Sequence, residues 1–119
     1  MKILVLPGDG IGPEITEATL AVLDRANAKF KLGLEWQMMD IGLKTLKARG
    51  STVPDDVMEA ARKAPGIILG PVDHLQYPER EKGGINPSGE LRVKLDLFAN
   101  IRAAKSRMGV GLTGKPVDL

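Results

Sequence analysis

Short apolar runs alternate along this chain with segments of helical periodicity. The first run predicts a buried parallel strand over residues 2–6, because it is short, continuously apolar and ended by Pro7-Gly8. Two further strands are predicted over residues 34–41 and 66–70, and the second of these is also continuously apolar.

Four segments between and after these runs have the spacing of amphipathic helices. The first helix begins at Pro13, a residue that suits the first helical position because its missing N–H is not needed there. A short helix from residue 43 ends at Gly50, another follows Pro54, and a fourth is predicted over residues 89–98, through Leu91, Leu95 and Phe98. The face of the first helix that is expected to pack on a sheet comprises Ile15, Ala18, Val22, Leu23, Ala26 and Phe30.

Alternation of strands with helices predicts an α/β fold, a mostly parallel sheet with flanking helices. A polar connection over residues 71–89 is long for a compact domain, and such loops are usually functional or disordered. Residues 99–102 are predicted to be extended.

The composition excludes several classes of protein. The 119 residues are 43% hydrophobic, and 17 basic residues against 15 acidic ones leave a net charge of +2 without a long block of either sign. A nucleic-acid partner and a membrane surface are therefore not indicated. No stretch approaches the roughly 18 apolar residues of a membrane span. Cysteine is absent, so disulfides and thiolate catalysis are excluded, and a cytoplasmic location is expected.

A glycine-rich turn between the first strand and the first helix invites comparison with dinucleotide-binding loops. The fingerprint of those loops is G-x-G-x-x-G, whereas Gly8, Gly10 and Gly12 give G-x-G-x-G followed by Pro13. The spacing alone favours a tight turn over cofactor binding. A Rossmann-type nucleotide-binding domain stays open as an alternative, with Asp40 placed where such folds bind ribose.

Two separated motifs resemble the isocitrate/isopropylmalate dehydrogenase family. The first is Leu6-Pro7-Gly8-Asp9-Gly10-Ile11-Gly12-Pro13-Glu14, and the second is Leu91-Arg92 followed by Leu95-Asp96-Leu97-Phe98-Ala99-Asn100-Ile101-Arg102. The resemblance implies an isopropylmalate dehydrogenase-like fold, not a Rossmann fold, in truncated form. It assigns residues 1–99 to the N-terminal part of the large α/β domain and residues 100–119 to the start of a second domain.

The same resemblance implies a substrate site. The family's arginines that match Arg92 and Arg102 bind the carboxylates of a malate-like substrate. A planar, permanently charged guanidinium can make paired hydrogen bonds to a carboxylate. Residues 86–90 match the positions that contact the distinguishing substituent of the substrate. Ser88 offers a hydrogen bond there, and nothing in this stretch forms an isopropyl pocket. Without the resemblance, both arginines would be interpreted as solvated surface residues.

A cofactor site is implied for the glycine-bearing loop, which matches the family segment beside the nicotinamide end of NAD. Gly83 and Gly84 permit close backbone approach to a ligand. The alternative is a mobile surface loop. The candidate cofactor-binding residues are Val72, Asp73, Gly83, Gly84, Ile85 and Asn86.

The implied reaction is NAD- or NADP-dependent oxidative decarboxylation of a 2-hydroxy diacid, with Mg or Mn as the metal. By resemblance, the catalytic tyrosine and lysine, a third arginine and the metal-binding aspartates follow residue 119, so we expect the chain alone to be inactive. Relatives form homodimers through the second domain. Ala103 departs from the family, which usually has proline there. A non-catalytic dicarboxylate-binding module is the remaining alternative.

Overall fold

The structure, a computed structural model, describes residues 1–104 of the chain. Three strands, β1 (Lys2–Leu6), β2 (Glu35–Met38) and β3 (Ile67–Leu69), form a parallel sheet in the order β2-β1-β3. Four helices connect or follow them: α1 (Gly12–Phe30), α2 (Leu43–Arg49), α3 (Asp55–Lys63) and α4 (Pro87–Lys94). The predicted α/β class, the parallel sheet and all of its strands are confirmed, although β2 and β3 are shorter than predicted.

The central strand β1 organises the core. Its register places Val5 opposite both Met38 and Ile68, and the last three residues of β1 are buried. Leu4 and Leu6 point to one face of the sheet, because side chains alternate along a strand. They pack there in a cluster completed by Ile41, Val53, Val57, Met58, Ala61 and Leu91.

Helix α1 meets the sheet with a different face from the predicted one. Thr16 is buried and Leu23 and Ala26 are half-buried. The predicted face is wrong at Ile15, Ala18, Val22 and Phe30, which are exposed. Asn27 lies on the half-buried side of α1, where its amide donates to the Leu34 carbonyl at 2.9 Å and accepts from the Leu34 N–H at 3.0 Å. These paired bonds hold the Asn27 side of α1 against the chain entering β2.

Helix α2 ends at Arg49, so the predicted stop at Gly50 is confirmed, and Gly50 itself is the C-cap in the left-handed conformation. Helix α4, however, begins two residues before its predicted start and ends at Lys94, short of the predicted residue 98. Asp96 has a φ of +53°, which a continuing helix does not allow. Phe98 is therefore fully exposed beyond the helix, and its inclusion in the predicted helix is wrong.

Residues 99–104 are exposed and form no strand, so the extended segment predicted over residues 99–102 does not pair with the sheet. The rest of the predicted second domain, residues 105–119, lies outside the described residues. Within residues 1–104, β2 and β3 each pair with β1 alone. No helix of this part of the chain combines the length and apolarity that crossing a bilayer requires.

Candidate substrate and cofactor site

The candidate site lies at the carboxyl edge of the sheet, where the loops after all three parallel strands meet. In open α/β sheets, ligands bind outside this edge. The loop after β1 contains Asp9, the loop after β2 contains Gly42, and the loop after β3 runs over residues 71–86. We call the last segment the β3 loop.

The carboxylate of Asp9 joins these three loops. It is buried and accepts the Leu43 N–H at 2.7 Å, the Asp73 N–H at 3.1 Å and the Tyr77 hydroxyl. The Asp9 backbone N–H donates to the Pro71 carbonyl at 2.9 Å. A single side chain after the central strand thus holds the first turn of α2 and the first half of the β3 loop.

Two glycines with positive φ make this close approach possible. A Cβ on Gly8, whose φ is +80°, would lie 2.1 Å from the Pro71 carbonyl oxygen. A Cβ on Gly42, whose φ is +81°, would lie 2.3 Å from Asp9 Oδ1. The space beside Gly8 is therefore filled by backbone of the chain itself, and the space beside Gly42 by the Asp9 carboxylate, as the tight-turn interpretation requires. This packing argues against a phosphate cradle and hence against the Rossmann-type alternative.

The Asp40 carboxylate, which that alternative would place on a ribose, is exposed and pairs with Lys44 at 2.7 Å. The two residues are one helical turn apart, a common spacing for exposed ion pairs. Asp40 therefore has a local structural role.

Tyr77 is half-buried in the β3 loop. Burial raises the pKa of its phenol, and the hydrogen bond to Asp9 and the negative charges of Asp9 and Asp73 raise this pKa further. Tyr77 is consequently a neutral hydrogen-bond donor throughout the physiological pH range.

The far end of the β3 loop is held by Thr52, whose side chain is fully buried. The Thr52 N–H donates to the Gly83 carbonyl at 3.0 Å, and the Thr52 hydroxyl accepts the Ile85 N–H at 2.8 Å and donates to the Ile85 carbonyl at 2.6 Å. The β3 loop is thus bound to the domain at both ends, which does not favour the mobile-loop alternative.

Gly83 and Gly84 serve the packing of this loop. A Cβ on Gly83, whose φ is +87°, would lie 1.9 Å from the Gly50 carbonyl oxygen, and one on Gly84 would lie 1.8 Å from the Pro78 carbonyl oxygen. Close contacts with the backbone of the same chain therefore explain why glycine stands at both positions. Contact of either residue with a cofactor stays a prediction.

The segment before Arg92 contains a buried carboxylate. Glu90 is only 9% exposed and accepts hydrogen bonds from Arg80 and Lys94, with N–O distances of 3.1 and 2.8 Å. The hydrogen bond from Lys94 lowers the pKa of Glu90 most, the Arg80 hydrogen bond and both positive charges lower it further, and burial opposes them. Glu90 therefore faces the β3 loop and is not available to a ligand.

We expect Glu90 to make the fold sensitive to acid. Because its pKa is lower in the folded chain than in the unfolded chain, its ion pairs stabilise the fold above the unfolded pKa, and this contribution is lost as the pH falls through the folded pKa. Glu90→Gln should therefore lose less stability than the wild type between pH 6 and about pH 3. Urea melts at both pH values measure the difference, and parallel losses would contradict it. Glu59→Gln, an exposed carboxylate on α3, is the control.

Of the segment 86–90, two further residues have structural roles. The Asn86 side chain caps α4 by accepting the Ser88 and Gly89 N–H groups, and Pro87 is buried. Ser88 and Gly89 are half-buried, and a Cβ on Gly89 would meet open space. The positions left for contact with a substrate substituent are therefore Ser88 and Gly89.

Arg92 lies one helical turn after Ser88, so the two side chains share a face of α4. Arg92 is exposed and forms no ion pair within residues 1–104. Arg102 is also exposed and lies in the segment after α4, where the described part of the chain offers it no acidic partner. Within residues 1–104, both guanidinium groups are thus without an acidic partner, and they lie on two different segments.

Of the other candidate cofactor residues, Val72 packs against the core, and Asp73 has its N–H on Asp9. The roles of Asp9, Thr52 and Tyr77 were not found from the sequence. The position of Asp9 in a glycine turn after the central strand was a usable signal for a buried acceptor. The partners of Thr52 in the β3 loop lie more than 30 positions away along the chain, and no local pattern reveals them.

This arrangement defines a class of protein: an α/β domain whose loops meet at the carboxyl edge of a parallel sheet, with basic side chains on the helix that follows. The family model described as isocitrate/isopropylmalate dehydrogenase matches residues 2–116. The chain belongs to this family.

Relatives and solved structures agree with this assignment. The 3-isopropylmalate dehydrogenase of Acinetobacter baylyi is 41% identical over 105 residues, which cover 87% of this chain and 29% of that enzyme. The 3-isopropylmalate dehydrogenase of Prochlorococcus marinus is 38% identical over 106 residues, 87% of this chain and 30% of that enzyme. The crystal structure of isocitrate dehydrogenase from Methylococcus capsulatus matches 99% of this chain and 32% of its own, with a TM-score of 0.80 and 28% identity. The chain thus spans less than a third of the length of these relatives.

Proposed function

We propose that this chain provides the substrate-contacting part of an NAD(P)- and metal-dependent oxidative decarboxylase that acts on a malate-like 2-hydroxy diacid. The observation that carries the proposal is that half-buried Ser88 and exposed Arg92 share one face of α4, the helix that directly follows the β3 loop, and that Arg92 has no ion-pair partner within residues 1–104. Family membership supports it, because named relatives are dehydrogenases of isopropylmalate and isocitrate.

In this proposal Arg92 and Arg102 each bind one carboxylate of the substrate. Two guanidinium groups on one diacid fix its orientation, and orientation is most of what hydride transfer requires of a binding site. Ser88 donates a hydrogen bond to a polar substituent of the substrate. Gly89 leaves the neighbouring space open. The substituent is therefore polar, as in isocitrate or tartrate, and not an isopropyl group.

The β3 loop would form one wall of the nicotinamide site, with Val72, Asp73, Gly83, Gly84, Ile85 and Asn86 as its candidate contacts. Its attachments to Asp9 and Thr52 support this role, because a fixed wall orients a cofactor better than a free segment does. We further propose residues 1–99 as the first part of a large domain and residues 100–119 as the start of a second one. A cytoplasmic homodimer is part of the same proposal.

The reaction would transfer a hydride from C2 of the substrate to NAD(P)⁺ while a base takes the hydroxyl proton, which gives a ketone at C2. The bond between C3 and its carboxylate would then break, so that carbon dioxide leaves and the electron pair remains as an enolate, which takes up a proton at C3. A bound Mg or Mn ion would polarise the ketone for the loss of carbon dioxide. Within residues 1–104, no three carboxylate or imidazole side chains gather to hold such an ion. In this proposal the role of this part of the chain is to bind and orient the substrate.

The test is calorimetry of the chain with malate, tartrate, isocitrate and 3-isopropylmalate, beside a nicotinamide absorbance assay with magnesium. We expect binding of isocitrate or tartrate in preference to 3-isopropylmalate, and no turnover by the chain alone. Ser88→Ala should reduce this preference. Clear turnover by the 119-residue chain would contradict the expected inactivity. Tighter binding of 3-isopropylmalate would contradict the polar substituent.

A further inference from the structure

We propose that the hydrogen bond from Tyr77 to Asp9 is a latch that positions the β3 loop for the cofactor, and that Tyr77 is thus a positioning residue for the nicotinamide site. The positioning role for the cofactor rests on the proposed function. The claim that the hydrogen bond holds the β3 loop rests on the contacts of the loop alone.

Val72 packs against the core, but the turn that follows it in the β3 loop has little apolar packing to hold it. The turn His74–Gln76 is exposed, and Leu75 at its centre is 86% exposed. Its bonds to the rest of the domain instead include the Asp73 N–H and the Tyr77 hydroxyl, which both donate to Asp9 Oδ2. One carboxylate oxygen thus receives a donor from each side of this turn.

The second half of the loop is held differently. Thr52 binds the backbone at Gly83 and Ile85, and Arg80 binds Glu90 with both terminal nitrogens. Loss of the Tyr77 hydroxyl would leave these contacts intact. The latch therefore controls the segment from Asp73 to Tyr77, and hydrogen bonds from hydroxyls to carboxylates are among the stronger ones in proteins.

The first test is hydrogen exchange of the full chain in the wild type and Tyr77→Phe, which keeps the ring and removes the donor. Amides of residues 73–77 should exchange at least about tenfold faster in the variant, the effect of losing one hydrogen bond to a charged group. Asp24→Ala is the matched control, since it removes the acceptor of the Trp36 indole at 2.7 Å and touches neither Asp9 nor the β3 loop. Exchange within twofold of the wild type in Tyr77→Phe would overturn the latch.

A spectroscopic test reads the latch directly, because Tyr77 is the only tyrosine in the chain. Absorbance at about 295 nm reports its ionisation, which should begin at higher pH in the folded chain than in urea. In Asp9→Asn the transition should move toward that of the unfolded chain. If Tyr77 ionised over the same pH range in the folded wild type as in the unfolded chain, the hydrogen bond to Asp9 would be contradicted and the proposal with it.

Calorimetry with NAD⁺ and with malate distinguishes a positioning role of Tyr77 from a general loss of structure in the variant. Tyr77→Phe should weaken NAD⁺ binding about tenfold and leave malate binding within twofold, because Arg92 and Arg102 lie outside the loop. Equal weakening of both ligands would indicate a merely structural role and overturn the positioning role. If the wild type binds no NAD⁺, the cofactor part of the proposed function and the positioning role fail, and the exchange experiment still decides whether the latch exists.

Discussion

Replacing Gly8 with alanine is expected to lower the free energy of unfolding by about 3–5 kcal/mol, from the left-handed backbone and from a severe overlap together. The new Cβ would lie 2.1 Å from the Pro71 carbonyl oxygen, and both groups belong to backbone that neighbouring bonds hold in place. Relief of the overlap would move the loop away from Asp9 and so disturb the whole carboxyl edge. Urea denaturation followed by Trp36 fluorescence measures the change.

Gly10→Ala is the matched control for this prediction. Gly10 has a φ of +56°, also in the left-handed region, but a Cβ there would meet nothing within 4 Å. Its substitution should cost about 1–2 kcal/mol, the backbone penalty alone. Equal unfolding midpoints for the two variants would show that the contact between Gly8 and Pro71 is not as close as described.

Replacing Arg92 with alanine is expected to weaken binding of the preferred 2-hydroxy diacid by about 2–3 kcal/mol, or roughly 30- to 150-fold in Kd. The guanidinium would lose a paired hydrogen bond to a carboxylate, the geometry for which arginine is best suited. The affinity of Arg92→Lys should lie between that of the wild type and that of Arg92→Ala, because a single ammonium cannot reproduce the planar pair of donors. Calorimetry with the same ligand measures all three proteins.

The stability of the Arg92→Ala chain should change by less than about 0.5 kcal/mol, since the side chain is exposed. Arg62→Ala serves as the control, because Arg62 is an exposed arginine in the last turn of α3. It removes the same charge from another helix and should leave the affinity nearly unchanged. Similar losses in the two variants would mean that the ligand responds to net charge and not to a defined site.

The existence of the strands and the helix boundaries marked by proline or glycine were predictable because their signals are local, whereas α4 begins two residues before its predicted start. Pro13 and Gly50 mark a helix start and a helix end whatever the rest of the chain does. The buried face of α1 was not predictable from periodicity, because apolar residues such as Ile15 and Val22 occur on a face that the described residues leave open. The half-buried side of α1 includes Asn27, and its side chain bonds the backbone of Leu34 in the segment before β2.

In the candidate site, too, some residues could be found from the sequence and others only from their long-range contacts. The two arginines were identified through motifs, and their exposure agrees with a role in binding. The exclusion of Glu90 from that site required the structure, because Arg80, one of its partners, lies in the β3 loop, which has no periodic pattern. Asp9 was visible as a motif residue, but its function as a shared acceptor depends on donors 34, 64 and 68 positions away. Long-range contacts of this kind are set by the packing of the loops and not by any local sequence signal.

The most direct measurement of the central claim is a double-mutant cycle on malate binding with Arg92→Ala, Arg102→Ala and the double variant. If both guanidinium groups hold one diacid, each single variant should bind malate much more weakly. The double variant should then lose less than the sum of the two, with a coupling of at least about 1 kcal/mol. Malate affinity that is unchanged in the double variant would contradict a shared substrate site.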